Sequence, residues 1–244
     1  MKEFVIKGIT ISFLTEEEIS EFVFRGLLDK KKFFMIFADS RVLYNIIYNR
    51  EYRKLLENKI VIPSSKVFPF VSRLLFGVKD VKIVKESSTI FKIIRNISDY
   101  YYRLAVVSGS EKETLRFKNN LKLNFPEMKL NMIGFNKIFG KYKHKEKIEI
   151  LKKFEPNLAI FDTVSLNFVG FIEKNKDLFA KTSVIMSGRG VKIISGVRHT
   201  FRDSLNMLKC AFSYVFISFW VLKEKFLMLF SEKRRLLYAK SYRV

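Results

Sequence analysis

The sequence predicts an α/β fold in which a mostly parallel sheet is flanked by helices. Three observations carry that prediction. Short, continuous apolar runs recur along the chain, as expected for strands covered on both faces. Segments with helical apolar spacing alternate with those runs. The alternation stops near residue 198, where a basic, aromatic, helical region begins.

Residues 3–13 read as an extended opening strand or hairpin. Thr15-Glu-Glu-Glu18 is a capping box, in which hydroxyl and carboxylate satisfy donors at the first turn, and it opens a helix to about Asp29. Phe33–Phe37 is a buried strand, and Val42, Leu43, Ile46 and Ile47 mark a helix over about 41–49. Ile60–Ile62 is a short strand that stops at Pro63. Leu104–Val107 is another, ending at Ser108-Gly-Ser110, and Ser110-Glu-Lys-Glu113 opens a helix to about Asn124. Further strands are expected at Met128–Ile133, Leu158–Phe161 and Ser183–Met186, with helices over 142–154 and 166–178. The expected organisation is a domain over 1–197 and a helical appendage over 198–244.

Composition narrows the class. The chain has 244 residues and is 48% hydrophobic, enough to build a core and unlike a disordered sequence. Its net charge of +22 implies a polyanionic partner: nucleic acid, an anionic membrane surface or phosphorylated substrates. No RRM, KH or helix-turn-helix pattern supports nucleic acid. A single cysteine, Cys210, excludes an internal disulfide and reads as an inert thiol in an apolar run. His144 and His199 have no companions at metal-ligand spacing, so no metal and no other cofactor is expected. The N-terminal residues 1–8 have no long apolar stretch, which predicts no secretory leader and a cytoplasmic location.

In an α/β protein, chemistry sits beyond the C-terminal ends of the strands. Five such ends carry polar groups. Asp39 and Ser40 either cap the following helix or face a ligand. Ser64, Ser65 and Lys66 either bind phosphate oxygens or make an ordinary turn. Gly109 and Ser110 precede a helix, a fair but weak anion-binding start without a phosphate-binding fingerprint. Ser187-Gly188-Arg189-Gly190 allows close backbone approach and offers a guanidinium to a phosphate, or is a plain turn. Asp162 and Asp39 are the carboxylates at strand ends that could act as a base.

These segments together resemble the WecG/TagA/CpsF family of glycosyltransferases, over about Val5–Val197. Ile6-Lys-Gly-Ile-Thr-Ile with Leu14–Glu18 is similar to the family's opening strand and first helix. Asp39 falls at the asparagine of its Thr-x-Asn segment. Glu51–Asn58 followed by Ile60–Pro63 resembles the helix and strand that lead to Pro-Asp-Gly, here Pro63-Ser64-Ser65. Ala105–Ser110, Asn124–Leu130 and Pro156–Phe161 match later elements. The family's Gly-x-Gly-x-Pro-Lys-Gln-Glu is replaced by residues 162–169, and Lys192 stands at an aspartate of its Gly-Gly-x-Phe-Asp. The resemblance implies a Rossmann-like sheet and an inverting, metal-independent transfer. It also implies a UDP-N-acetylhexosamine donor, ManNAc-like, and a lipid-diphosphate-linked acceptor. The family's proposed base is the Pro-Asp-Gly aspartate. Ser64 cannot replace it without a base of its own, so Asp39 or Asp162 must accept the proton. The alternative is a non-catalytic relative serving as a membrane-bound scaffold. Homo-oligomers are left open.

Residues 210–222 are apolar but shorter than a bilayer span. A helix lying in the membrane interface fits them better, with Trp220 and other aromatics inward. Arg198, Arg202, Lys223, Lys225, Arg234 and Arg235 would then meet headgroups or a lipid diphosphate.

Overall fold

The computed structural model describes residues 2–78, 81–108, 110–136, 144–162, 166–196, 201–231 and 242–243. They form an α/β fold whose strands pair mostly in parallel, with helices flanking the sheet. The chain divides into two compact units, each discontinuous in sequence.

One unit comprises residues 1–15, 37–84 and 199–244. Its strands are β1 (Lys2–Ile6), β2 (Ile9–Phe13), β4 (Ile60–Pro63) and β9 (Tyr242–Arg243). β1 and β2 form the expected antiparallel hairpin, turning through Lys7 and Gly8, both at positive φ. β9 adds antiparallel to β1, and β4 runs parallel to β2. The helices are α2 (Ser40–Tyr48), α3 (Arg50–Leu56), α4 (Val67–Phe76) and α10 (Phe201–Phe230). α10 packs on α2 and α4. Tyr48 donates its hydroxyl to the Phe216 carbonyl at 3.1 Å.

The other unit comprises residues 16–36 and 85–198. β5 (Arg103–Ser108) lies between β6 (Asn131–Asn136) and β7 (Leu158–Phe161), and β7 pairs with β8 (Ser183–Met186), all in parallel. β3 (Phe34–Ala38) gives Phe34–Ile36 to this unit, parallel to β8, and its last two residues to the first unit. α1 (Glu16–Leu28), α5 (Glu86–Ile97), α6 (Glu111–Asn124), α7 (His144–Phe154), α8 (Leu166–Lys174) and α9 (Gly190–Ser195) complete it. α1 packs along α5. The Glu16 carboxylate accepts from the Lys85 N–H and from Ser88 Oγ at the start of α5, and pairs with Lys92. Burial would raise its pKa, but these donors outweigh that and hold it below the usual range.

Most expected elements are present, two expectations need correction, and two helices were not expected. β6 begins at Asn131 rather than Met128. A turn closed by the Met128 N–H on the Phe125 carbonyl delays it, and pairing with β5 starts at Arg103 opposite Asn131. The helix expected to reach residue 178 ends at Lys174. There the Asn175 side chain takes the Phe171 carbonyl, and the chain tightens into a 3-10 turn over Lys176–Phe179. Two further helices, α4 and α5, occupy the stretch between β4 and β5.

α10 has two contrasting faces. Ser213, Ile217, Trp220, Val221, Glu224 and Met228 are buried. Leu205, Leu208, Phe212, Val215, Phe219, Leu222, Phe226 and Leu229 follow one another at alternating three- and four-residue steps, and each is 43–67% exposed. No helix among the described residues is long and apolar enough to cross a membrane.

Candidate functional site

In the first unit, β3 and β4 end side by side, with the Ser64 N–H on the Ala38 carbonyl at 2.9 Å. Asp39 is the N-cap of α2. Its Oδ1 accepts from the N–H groups of Arg41 and Val42 at 2.9 and 3.1 Å. Its Oδ2 receives the Arg41 guanidinium through Nε and Nη2 at 2.8 and 2.6 Å, and the Cys210 thiol lies 3.9 Å away. Ser40 is buried and donates to the Cys210 carbonyl at 3.0 Å, fastening α2 to α10. Ser65 caps the turn into α4, accepting from the Phe68 N–H through its carbonyl. Lys66 is exposed at the start of α4. Tyr52 on α3 is buried, and its hydroxyl has no hydrogen-bond partner among the described residues. Burial, and then the charge of Asp39, push its phenol pKa upward.

In the second unit, the ends of β5, β7 and β8 carry a denser arrangement. Ser108 Oγ donates to the Ser110 carbonyl at 2.8 Å, and Ser110 Oγ accepts from the Glu113 N–H, capping α6. Asp162 follows β7 and reaches the start of α9, where its carboxylate accepts from the N–H groups of Val191, at 3.1 Å, and Lys192. Glu86, the first residue of α5, reaches the same loop. Its Oε2 accepts from the Arg189 N–H at 2.8 Å and from Ser187 Oγ at 3.3 Å. Ser187 Oγ in turn accepts from the Gly190 N–H at 2.6 Å. Lys192 pairs with Glu113 at 3.7 Å, both largely buried. The Arg189 N–H and the Ser187 hydroxyl of this loop therefore meet a carboxylate of the protein itself. Gly188 and the Arg189 side chain are half-buried beside them.

The electrostatics single out Asp162. Burial penalises its charge, the Glu113 and Glu86 carboxylates repel it, and two N–H groups only partly compensate, so its pKa lies well above the usual carboxylate range. The residue as a whole is partly buried. A carboxyl held this way exchanges a proton nearer neutral pH than an ordinary aspartate, which is the property general acid–base chemistry requires. Among the described residues, no group of three or more His, Cys, Asp or Glu is placed to hold a metal.

The structure brings Asp162, Arg189 and Lys192 together in one unit, with Ser110 at the head of α6 in the same unit. Asp39, Ser40, Ser64, Ser65 and Lys66 lie together in the other. Glu86 and Glu113 were not singled out from sequence as site residues. Glu113 reads there as half of a capping box, and Glu86 precedes a run of isoleucines at helical spacing. On α10, Lys223 and Lys225 are exposed, whereas Trp220 is buried, turned from the exposed apolar row. Gly109, Arg198, Arg234 and Arg235 lie outside the described residues, as does the side chain of Arg202.

No curated protein matches the chain significantly. The model of the glycosyl transferase WecG/TagA/CpsF family matches residues 4–201, which spans both sets of strand ends. This chain belongs to the WecG/TagA/CpsF family of glycosyltransferases, whose chemistry joins a sugar-nucleotide donor to an acceptor in cell-surface glycan synthesis.

Proposed function

We propose that the protein transfers an N-acetylhexosamine, ManNAc-like, from a UDP-sugar to a lipid-diphosphate-linked acceptor at a membrane surface, with Asp162 as the base. Supporting this is the position of Asp162 at a strand end, with two fixed N–H donors and a raised pKa. Asp39 is less suited, because both its oxygens already accept from Arg41 and the first turn of α2. In the proposed step, the acceptor hydroxyl gives its proton to the Asp162 carboxylate as its oxygen attacks the anomeric carbon. The bond from that carbon to the diphosphate oxygen breaks, UDP leaves, and the configuration inverts. Lys192 and Arg189, close to the same loop, are the cations assigned to the donor diphosphate, and Ser110 is a further donor contact.

The decisive measurement is sugar transfer from UDP-N-acetylhexosamines to a lipid-diphosphate-linked acceptor by the purified chain and its Asp162→Asn variant. Asparagine can still accept the two N–H bonds but cannot take a proton. The expected result is a fall in kcat of about 10²-fold or more with little change in KM. Equal turnover in both proteins excludes Asp162 as the base, and the absence of any thermal shift with UDP-sugars overturns the donor assignment.

The segment 198–244 is proposed as the membrane-facing appendage. The exposed apolar row of α10, beside Lys209, Lys223 and Lys225, has the chemistry of a helix lying in an anionic interface. A second function, as a non-catalytic scaffold at the membrane, is favoured by Ser64 at the family's base position. Measurable turnover with any donor excludes it.

A further inference from the structure

A groove of about 670 Å³ opens in the second unit, lined by Arg95, Asn96, Asp99, Tyr100, Asn124 and Phe125 among others. It lies where α5 and α6 end and β5 and β6 begin, since Lys129 bonds back to Ser98 and Asn131 to Tyr102. That is the opposite end of these strands from Ser108, which the capping loop of α6 follows. Three properties distinguish it from its surroundings. Its aromatic wall is held in place: Tyr100 packs edge-on to Phe24 at 5.3 Å and stacks on Tyr102 at 5.7 Å, yet stays 40% exposed. Phe91 and Phe125 pair at 5.0 Å beside it. Its amides are also oriented. Asn96 donates to Ser20 Oγ at 2.8 Å and Asn124 to the Asn120 carbonyl at 2.7 Å, fixing the direction of each side-chain carbonyl. Finally, the lining carries one arginine, one aspartate and no lysine, on a chain whose net charge is +22.

We infer that this groove binds a neutral oligosaccharide at a point remote from the strand-end site. Exposed ring faces are electron-rich and attract the weakly positive C–H faces of a sugar. Planar amide, carboxylate and guanidinium groups around them match hydroxyl donors and acceptors. The balanced charge disfavours a polyanion, the ligand class that the rest of the molecule attracts. Most of the lining residues are exposed, so the groove suits a segment of an extended glycan rather than an enclosed small molecule. Fixed rings and amides reduce the ordering cost of a weak, polar ligand. The inference needs only the groove, and stands whether or not Asp162 is the base.

The test is an NMR titration of the ¹⁵N-labelled chain with N-acetylchitotetraose, with UMP and heparin in parallel arms. The expected result is saturable shifts confined to residues 91–100 and 124–125, with dissociation constants on the order of 1 mM. Tyr100→Ala and Arg95→Ala should each weaken binding about tenfold while leaving UDP-sugar turnover unchanged, and Arg95→Ala should leave the thermal midpoint unchanged as well. Asp162→Asn should bind the oligosaccharide normally. No saturable shift up to about 10 mM, binding that survives both groove variants, or preferential binding of UMP or heparin to these residues would each overturn the proposal.

Discussion

Asp162 is a carboxyl that the folded chain makes harder to ionise than the unfolded chain does. Its folded pKa is raised, so its contribution to stability is fully present below the unfolded value near 3.8 and is lost as pH rises through the folded value. Asp162→Asn removes that loss while keeping both N–H bonds. The variant's thermal midpoint should therefore exceed the parent's by a margin that grows from pH 4 towards pH 8. A margin constant across this range would contradict the electrostatic account. Tyr52 makes the companion case with a neutral group. Its buried hydroxyl lacks a partner among the described residues, so Tyr52→Phe should be neutral or stabilising by up to about 1 kcal/mol in urea unfolding. Residues of this kind were only partly legible in the sequence. Asp162 could be named because it follows an apolar run. Its raised pKa could not, because the repulsion comes from Glu86 and Glu113, 76 and 49 positions earlier in the chain.

At the scale of elements, the start of α9 is the tightest junction. A Cβ on Gly190 would come within 2.4 Å of Ile90 Cδ1 and 2.6 Å of Ser187 Oγ. That oxygen is already held by the Gly190 N–H and by Glu86. Gly190→Ala should thus cost about 1–3 kcal/mol and loosen the loop around Asp162, seen as a lower denaturation midpoint. The glycine was visible in sequence as a site of close approach, but α5 as the neighbour was not. Ile90, Ile93, Ile94 and Ile97 carry a plain helical period, and that signal alone would have placed α5. α4 is harder to see, because Pro69 interrupts its third position, where a helix tolerates proline. Strands β7 and β8 were legible to the residue, since β7 is an unbroken apolar run, β8 is one after its opening serine, and both are buried throughout. The start of β6 was not, because the turn before it is apolar at Met128 and Leu130, and only pairing with β5 decides where the ladder begins.

For the whole molecule, charge and the α10 row act together. The three- and four-residue steps of that row would also suit pairing with another helix. Lys209, Lys223 and Lys225 beside it set like charge against like charge in a second copy, whereas an anionic surface attracts them. Phe212→Glu combined with Phe219→Glu should weaken sedimentation with phosphatidylglycerol vesicles at least tenfold and leave the folded midpoint near the parent's. Equal binding to neutral and anionic vesicles would argue against the electrostatic part. The basic, aromatic composition of this segment was legible from the start. The burial of Trp220 within the protein, rather than towards a membrane, was not, because helical phase is set by which side meets α2 and α4.

The division of the chain also sets a timetable for its synthesis. The unit containing Asp162 has all its residues once position 198 has been made. The other unit holds β1 and β2, which are made earlier, yet it must wait for α10, and for the strand that pairs with β1, before it can close. Vectorial folding would therefore finish the interior of the sequence before its beginning, with the β1–β2 hairpin held in reserve. A ribosome stalled so that residue 198 has left the exit tunnel while α10 is still inside it should display one protease-resistant unit and leave the β1–β2 hairpin open to cleavage.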